Sequence, residues 1–227
     1  MSKILIIPDV HGRKFWHKAE ELINEVDKII FLGDYLDPYF WEGITFETAM
    51  IEFKNILSFK RKNPEKVILL TGNHDIHYII LEFMNCSRLN LDERVKIHEL
   101  FQSNIDKFNL IYQHDNYLFS HSGIYQEWID KYNITLEELF DLKTFFQNRW
   151  KTLEDVGMYR GGWDKVGSCI WADIRERIQH KVIPNFIQIV GHTLSDEPEF
   201  CFKDIICLDC RRCFILNTET GEINEVC

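Results

Sequence analysis

The stretch Pro8-Asp9-Val10-His11-Gly12 directly follows an apolar run, residues 4–7, that is typical of a buried β-strand. Asp9 and His11 are separated by one residue at the carboxyl end of this strand, where ligands gather in open α/β sheets. An oxygen ligand and an imidazole this close together can hold one metal ion between them. Because an Asp and a His in one turn are more often a helix cap and a solvated ring, the prediction depends on whether the pattern recurs.

The same pattern recurs after two further strands. Residues 28–32 form an apolar segment that ends at Gly33-Asp34-Tyr35-Leu36-Asp37, and residues 66–70 form another that ends at Thr71-Gly72-Asn73-His74-Asp75. Segments with apolar side chains at helical spacing separate the three strands. This alternation of strand, polar turn and helix predicts an α/β sheet with its functional site at one edge.

Two more polar turns follow strands in the second half of the chain. Ser120-His121-Ser122-Gly123 ends a predicted hairpin, and Gly191-His192-Thr193 follows the apolar residues 186–190. The helical and glycine-rich segment at about 124–185 is interpreted as an excursion over the site, within a single domain of 227 residues. Residues 199–226 are predicted to form a run of antiparallel strands.

Helices are predicted in the middle of the chain at residues 76–83, 91–108 and 135–151. The last of these begins with the capping box Thr135-Leu136-Glu137-Glu138. Asp75 is interpreted as the N-cap of the helix that follows it. His77, seen alone, is interpreted as an ordinary structural histidine.

Composition limits the class of protein. A chain of 227 residues, 45% of them hydrophobic, can bury a sizeable core. The net charge of −10 argues against a broad nucleic-acid or membrane surface. The N-terminal apolar run is too short for a secretory signal, and no run approaches the length of a transmembrane helix. With an odd count of seven cysteines, these features predict reduced thiols and a cytoplasmic protein.

The polar turns supply two carboxylates, three imidazoles and one amide as candidate metal ligands. They are Asp9, His11, Asp34, Asn73, His121 and His192. These ligand types suit Mn, Fe or Zn, and six are too many for one open site but suit two metals that share a carboxylate. Two carboxylates and a bridging hydroxide would leave one positive charge, which attracts an anion such as a phosphate ester. Two such ions also lower the pKa of bound water, so that hydroxide is available for attack.

In this order, the five motifs resemble those of the calcineurin-like metallophosphoesterase superfamily. They are Asp-x-His, Gly-Asp-x-x-Asp, Gly-Asn-His-Asp, His-x-Gly and Gly-His-Thr, and they extend from Asp9 to His192. The likeness is greatest to the serine/threonine phosphoprotein phosphatase-like branch. It implies an α/β fold, a two-layer β-sandwich flanked by helices with the metal site at the carboxyl ends of strands, and a hydrolase acting on phosphoester bonds.

The resemblance also implies how the ligands are divided between two divalent ions. The two sets share Asp34: Asp9, His11 and Asp34 hold the first metal, and Asp34, Asn73, His121 and His192 hold the second. Some relatives have Gly-His-x-His, whose last His binds the first metal; Leu194 stands there in this chain, so the first metal should keep more water. Manganese is the expected metal, with iron or zinc as alternatives.

Catalytic roles follow from the same resemblance. His74 is expected to protonate the leaving alcohol, paired with Asp37, because an alkoxide is a poor leaving group. The phosphoprotein phosphatases place an Arg-Gly pair after this Asp, and the Arg binds the phosphate; here the position is Pro38. We therefore predict that Arg175 binds the phosphate, with Arg160 as the next candidate.

Three functions are considered. The leading one is a metal-dependent phosphomonoesterase, phosphoprotein phosphatase-like, that acts on a phosphorylated protein or small molecule. The second is a phosphodiesterase or dinucleotide polyphosphate hydrolase, whose metal site is nearly the same. The third is a metal-free scaffold that binds proteins, which is disfavoured because all six ligand-type residues are present.

Two further features have alternative interpretations. Tyr39, Phe40 and Trp41 either wall a substrate pocket or pack against the edge of the sheet. Cysteines at positions 207, 210 and 213 have spacing that invites a metal site, but their surroundings are strand-like. Because a strand turns successive side chains to opposite faces, the first and third cysteine should share a face and the second should not, which favours a structural role.

Overall fold

The computed structural model describes residues 2–200 and 202–226, and within them ten strands form two sheets. The strands of the first sheet are Lys3–Ile7 (β1), Lys28–Phe31 (β2), Val67–Leu70 (β3), Phe108–Asn109 (β4), Phe214–Asn217 (β9) and Ile223–Glu225 (β10). Those of the second are Ile111–His114 (β5), Tyr117–Ser120 (β6), Ile187–Val190 (β7) and Ile205–Cys207 (β8). Their orders are β10-β9-β1-β2-β3-β4 and β5-β6-β7-β8.

Seven α-helices accompany the strands in the described ranges. They are Lys18–Leu22 (α1), Phe46–Lys62 (α2), Asn73–Ile79 (α3), Arg94–Gln102 (α4), Gln126–Tyr132 (α5), Leu136–Phe140 (α6) and Leu142–Arg149 (α7). Short 3-10 turns fill several of the connections. In the part of the chain that the structure describes, none of the helices has the length and apolar character needed to cross a membrane.

Alternation along the strands divides the core into two layers. Ile4 and Ile6 of β1 pack with Phe119 and other residues of the second sheet, which fills the space between the sheets. Leu5 and Ile7 of the same strand join the larger cluster that includes the buried faces of the helices. The predicted α/β class, a two-layer sandwich flanked by helices, is therefore confirmed.

The direction of the strands brings the polar turns together. β1, β2 and β3 run parallel with neighbouring registers, and β6 and β7 run parallel in the other sheet. The carboxyl ends of these five strands are the points at which the five motifs begin. The sheet edge predicted to carry the site is thus built by both sheets.

Helix boundaries depart from prediction where tertiary contacts intervene. Residues 91–108 do not form one helix, because α4 ends at Gln102 and Phe108–Asn109 joins β3 in the sheet. Residues 135–151 are broken at Asp141, whose carboxylate accepts a hydrogen bond from the Thr144 N–H and starts α7 as a new helix.

The C-terminal region also differs from prediction. β9 and β10 are antiparallel as expected, but β8 runs parallel to β7 in the second sheet. The three cysteines follow the predicted alternation: Cys207 and Cys213 lie in the larger core cluster, and Cys210 lies between the sheets. The thiol of Cys207 donates to the Gly191 carbonyl at 3.1 Å, so this cysteine helps to hold one of the site turns in place.

Phe53 on α2 gives a test of the core. Its fully buried ring lies 5.3 Å from that of Tyr35 and 4.8 Å from that of Phe101, between the helix and the turn after β2. We expect Phe53→Ala to lower the free energy of unfolding by about 3–5 kcal/mol, through lost burial and the cavity left behind. Urea unfolding measures this, and Ile51→Ala on the exposed face of α2 should change it by less than about 0.5 kcal/mol. Similar losses for both variants would contradict the assigned packing.

Candidate metal centre

The six predicted ligands converge at the edge of the sandwich. The ligand atoms form two groups, and within each group they lie within 4.8 Å of one another. One group is Asp9, His11 and Asp34, and the other is Asp34, His121 and His192, so both contain Asp34. Oδ1 of Asn73 is 3.0 Å from Nε2 of His121, which places the amide beside the second group. The arrangement is that of two adjoining sites with one carboxylate between them.

Backbone carbonyls orient two of the imidazoles. Nδ1 of His11 donates to the Leu36 carbonyl at 2.7 Å, and Nδ1 of His121 donates to the Leu32 carbonyl at 2.8 Å. These bonds put the ring proton on Nδ1 and leave the lone pair of Nε2 for a metal. Both carbonyls belong to the segment around the end of β2, so the strand that supplies Asp34 also orients its neighbours.

The acceptor atoms fit a pair of divalent ions. Nε2 of His121 faces Oδ1 of Asn73 at 3.0 Å, Nδ1 of His192 at 3.1 Å and Oδ1 of Asp34 at 3.6 Å. With the His121 proton on Nδ1, the lone pairs of its Nε2, of Asn73 Oδ1 and of Asp34 Oδ1 converge on one point, which is favourable when a cation lies between them. Nε2 of His192 is buried and has no hydrogen-bond partner in the described residues. The His and Asp clusters therefore suit a binuclear divalent metal site.

Two glycines make room for the carboxylates. A Cβ on Gly72 would lie 2.1 Å from Oδ1 of Asp34, and a Cβ on Gly191 would lie 2.2 Å from Oδ1 of Asp9. Both distances are far below contact distance, so neither position has space for a side chain. The residues before Asn73 and His192 must therefore be glycine for steric reasons, which the motifs alone do not reveal.

Several site residues adopt a left-handed backbone that is uncommon for residues other than glycine. The φ angles are 44° at His11, 54° at Asp34, 59° at Asp37 and 68° at His192. Such conformations cost on the order of 1–3 kcal/mol each and persist where surrounding contacts determine them. Here they turn the side chains back over the ends of the strands.

Asp75 supplies some of these contacts. Its carboxylate, fully buried, accepts hydrogen bonds from the N–H groups of Gly72 and Asp34 at 2.8 Å and of Tyr35 at 3.1 Å. The helix begins at Asn73 and its N-cap is Gly72, so the predicted N-cap role of Asp75 is wrong. Asp75 instead ties the first turn of α3 to the turn after β2, and so fixes Asn73 relative to Asp34.

Burial controls the charge of the ligands. Burial, with the neighbouring Asp9 carboxylate, raises the pKa of Asp34 well above its ordinary value. Burial also lowers the pKa of His11 and of His192 well below the ordinary value, and nearby cations act in the same direction. Lowering the pKa of these two imidazoles favours their neutral form, which is the form that binds metals.

A second cluster surrounds Asp37. Its Oδ2 lies 2.8 Å from Nδ1 of His74 and 2.9 Å from Nε2 of His77, and its Oδ1 accepts a 2.5 Å hydrogen bond from the Tyr78 hydroxyl. The backbone N–H of Cys86 donates to Nδ1 of His77, so the ring proton lies on Nε2, the nitrogen nearer to Asp37. His77 was not expected to take part; its position three residues after His74 on one helix was the available signal.

In this cluster, burial and the neighbouring charges shift the pKa values of Asp37 and His74 in opposite directions. Burial alone would raise the pKa of Asp37, but its contacts with His74 and His77 lower it below the ordinary value. Burial lowers the pKa of His74 to about 4, although the Asp37 carboxylate acts to raise it. The pair is therefore a carboxylate and a neutral imidazole whose proton lies on Nδ1, between the two.

The predicted phosphate-binding arginines have different surroundings. Arg160 donates to the His192 carbonyl at 2.7 Å and to Oγ1 of Thr193 at 2.8 Å, and pairs with Asp173 at 2.9 Å. Arg175 pairs with the other oxygen of Asp173 at 2.7 Å, and its side chain is 51% exposed. Among the described residues, those that border the cavity of about 140 Å³ at the metal ligands include Arg160 and Arg88, but not Arg175.

The fold and the site together define a metal-dependent phosphoester hydrolase, and comparison with known proteins agrees. Residues 2–196 match the family model described as calcineurin-like phosphoesterase. The chain belongs to the calcineurin-like phosphoesterase family, and it is a hydrolase acting on phosphoester bonds. No curated protein matches the chain.

Solved structures share the fold at low sequence identity. A cold-active protein-tyrosine phosphatase of a psychrophilic Shewanella species is 17% identical with a TM-score of 0.64, and the match covers 100% of this chain and 81% of that one. A protein serine/threonine phosphatase from Saccharomyces cerevisiae, with similarity to human phosphatase PP5, is 16% identical with a TM-score of 0.57. That match covers 91% of this chain and 66% of the yeast chain.

The role of Asp75 can be tested by two substitutions. Asp75→Ala leaves three buried N–H groups without an acceptor, and each costs about 1–3 kcal/mol. We expect a lower free energy of unfolding and weaker binding of Mn²⁺, because Asn73 and Asp34 lose their common support. Asp75→Asn keeps one acceptor oxygen and should lie between the wild type and the alanine variant.

Urea unfolding and equilibrium dialysis against Mn²⁺ measure the two effects. The control is Asp92→Ala, which removes a carboxylate from an exposed position. Unchanged metal binding in a destabilised Asp75→Ala would show that Asp75 supports the fold but not the ligands.

Proposed function

We propose that this protein is a phosphomonoesterase, phosphoprotein phosphatase-like, that works with two divalent metal ions, manganese for preference. The observation that carries the proposal is the position of Asp34, the one residue common to both groups of ligand atoms. A shared carboxylate keeps two ions close enough to act on one phosphoryl group. The expected substrate is a phosphorylated protein or small molecule.

Each residue of the proposed site has a distinct task. Asp9 and His11 complete the first metal site with Asp34, and Asn73, His121 and His192 complete the second. Bound divalent ions would supply Lewis acidity to the phosphoryl group and activate the attacking water. The chain contributes imidazoles whose rings are oriented by backbone carbonyls, and a buried pocket that strengthens electrostatic contacts with the phosphate.

His74 is proposed as the group that protonates the leaving oxygen. The ring is neutral with its proton on Nδ1, so Nε2 must first take up a proton from solvent, and the Asp37 carboxylate beside Nδ1 favours that protonated form. Nδ1 of His74 is held by Asp37 at 2.8 Å, which aims Nε2 towards the cavity that the metal ligands border. The contacts of Asp37 with His77 and Tyr78 hold the carboxylate in place, so that the imidazole has one orientation. The likeness in fold to a protein-tyrosine phosphatase and to a protein serine/threonine phosphatase supports monoesters as the substrates of this protein, and a substrate panel tests this choice.

The panel comprises an aryl phosphate, a phosphoserine peptide, a bis-aryl phosphate and a dinucleotide polyphosphate, each with Mn²⁺. We expect turnover of the first two to exceed that of the last two. A preference for the bis-aryl phosphate or the dinucleotide would replace the proposal by a phosphodiesterase or a dinucleotide polyphosphate hydrolase. Turnover of none, with metal bound, would reject both enzymes.

Asp34→Asn tests the shared ligand. The amide has one coordinating oxygen and no charge, so both sites lose affinity, and activity should fall almost to background. Elemental analysis of the wild type should give two metal ions per chain, and the variant should give fewer. A single ion in the active wild type would contradict the binuclear proposal.

His74→Asn tests the proton donor. A general acid contributes about 10²–10⁴-fold, and it matters most when the leaving group is a poor one. We therefore expect a much larger loss of kcat for an alkyl phosphate than for p-nitrophenyl phosphate, whose leaving group is already a stable anion. Asp37→Asn should show the same bias in milder form.

Metal content should stay near that of the wild type in both variants, because neither residue is a proposed ligand. His114→Asn, at the last residue of β5, is the control and should leave both rates unchanged. Equal losses on the two substrates with metals retained would exclude the general-acid role, whereas loss of metal would make His74 a support of the metal site.

A further inference from the structure

We infer that Arg88 is the residue that binds the substrate's phosphate in place of the arginine missing at Pro38, and that it selects for dianionic phosphomonoesters. This inference rests on the proposed function and deepens it. Arg88 belongs to the loop after α3, about fifty positions along the chain from Pro38. It borders the same cavity as the metal ligands.

The guanidinium of Arg88 is held in place by an aromatic ring and a backbone carbonyl. Its Cζ lies 3.8 Å from the centre of the Tyr39 ring, and its Nε donates to the Asp37 carbonyl at 2.9 Å. A cation over an aromatic face is attracted by the ring, and a guanidinium stacks well on it. The φ angle of Arg88 is 63°, so the backbone is turned to direct this side chain. Its Nη1 donates to Oγ of Ser87 at 3.4 Å, which leaves Nη2 on the side of His74.

The ring beneath it is itself fixed. The Tyr39 ring meets the His11 ring edge-on, with the two ring centres 5.1 Å apart, and Cζ of Arg13 lies 5.2 Å from the centre of the Tyr39 ring. The residue that follows Pro38, where relatives have glycine, thus carries the ring on which Arg88 is seated. The aromatic pocket wall considered from sequence is realised by Tyr39, while Phe40 and Trp41 are largely exposed. Tyr39, directly after Pro38, therefore supplies the aromatic face that holds the Arg88 guanidinium.

Arg88 is placed where its guanidinium can bind an oxygen of a phosphate in the cavity. Its Nη2 lies 3.2 Å from Nε2 of His74, the atom proposed to face the leaving oxygen. Because a guanidinium only donates, Nε2 is the acceptor here. When a phosphate enters, Nη2 has a stronger acceptor at hand, and a small rotation that keeps the ring contact moves the donors from His74 to the phosphate.

Two arginines therefore border one small cavity. Arg88 lies beside His74 and Arg160 lies beside His192, and the cavity is about 140 Å³. Their charges would add to those of bound divalent ions, so a phosphate with two negative charges would be favoured over one with a single charge. A diester carries one charge less and a second substituent that must fit in the same cavity. The chemistry points to a terminal phosphate group.

Arg88→Gln removes the charge and keeps much of the length of the side chain. We expect the inhibition constant of inorganic phosphate to rise about 10–100-fold, as for a lost charge-assisted hydrogen bond. The ratio of kcat/KM for p-nitrophenyl phosphate to that for bis-p-nitrophenyl phosphate should fall about 10-fold, since the diester gains less from the charge. Arg88→Lys keeps the charge without the planar fork and should be intermediate.

Two substitutions of Tyr39 separate the role of its ring in holding Arg88 from the role of Arg88 in binding phosphate. Tyr39→Phe keeps an aromatic face and should keep phosphate inhibition within about 2-fold of the wild type. Tyr39→Leu removes the face and should weaken phosphate inhibition in the same direction as Arg88→Gln, by a smaller factor. Arg61→Gln removes one positive charge from the exposed end of α2 and should change nothing.

Thermal unfolding and Mn²⁺ content show that each variant is folded and loaded. If the wild type turns over no phosphoester, the proposed function fails and the role of Arg88 fails with it. If the wild type hydrolyses monoesters but Arg88→Gln and Tyr39→Leu leave the phosphate inhibition constant and the monoester-to-diester ratio unchanged, only the inference about Arg88 is overturned. A crystal structure with phosphate should show Nη2 of Arg88 within hydrogen-bond distance of the anion.

Discussion

The buried carboxylate of Asp34 is the interaction on which the site depends. It lies at the end of β2, faces Asp9 and the imidazoles of His11 and His121, and is almost wholly removed from water. A charge buried among other acceptors is costly unless a cation balances it. Folding therefore brings together negatively charged and uncharged ligands at an electrostatic cost that a bound cation would relieve. Metal affinity and the free energy of unfolding are linked for this reason.

Support for Asp34 comes from a residue that carries no metal. Asp75 accepts its backbone N–H together with those of Gly72 and Tyr35, and so fixes a left-handed turn that Asp34 would not adopt alone. Carbonyls at the end of β2 orient two imidazoles in the same way. The ligands are thus positioned by backbone groups of their neighbours, and this explains why they gather where two sheets end.

Much of this could be predicted from sequence, because the ligands occupy local, repeated positions at strand ends and the strands are short apolar runs. Contacts between distant segments could not. Nothing near Arg88 shows that it meets Tyr39 and His74, and the Asp37 partners His77 and Tyr78 resemble ordinary helix residues. The predicted helix over 91–108 was wrong for the same reason: pairing of Phe108–Asn109 with β3 competes with local helical preference.

Asp37 shows how two tasks become dependent on one residue. Its carboxylate contacts Nδ1 of His74, and its backbone carbonyl accepts a hydrogen bond from Nε of Arg88. The positions of both side chains therefore depend on the same left-handed turn at Asp37. An arginine placed directly after Asp37 would reach the phosphate from this turn itself. With Pro38 there, a guanidinium from the loop after α3 is brought back to the turn by the Tyr39 ring and the Asp37 carbonyl. The inferred clamp thus depends on where the guanidinium is held, by the Tyr39 ring and the Asp37 carbonyl, and less on its position along the chain.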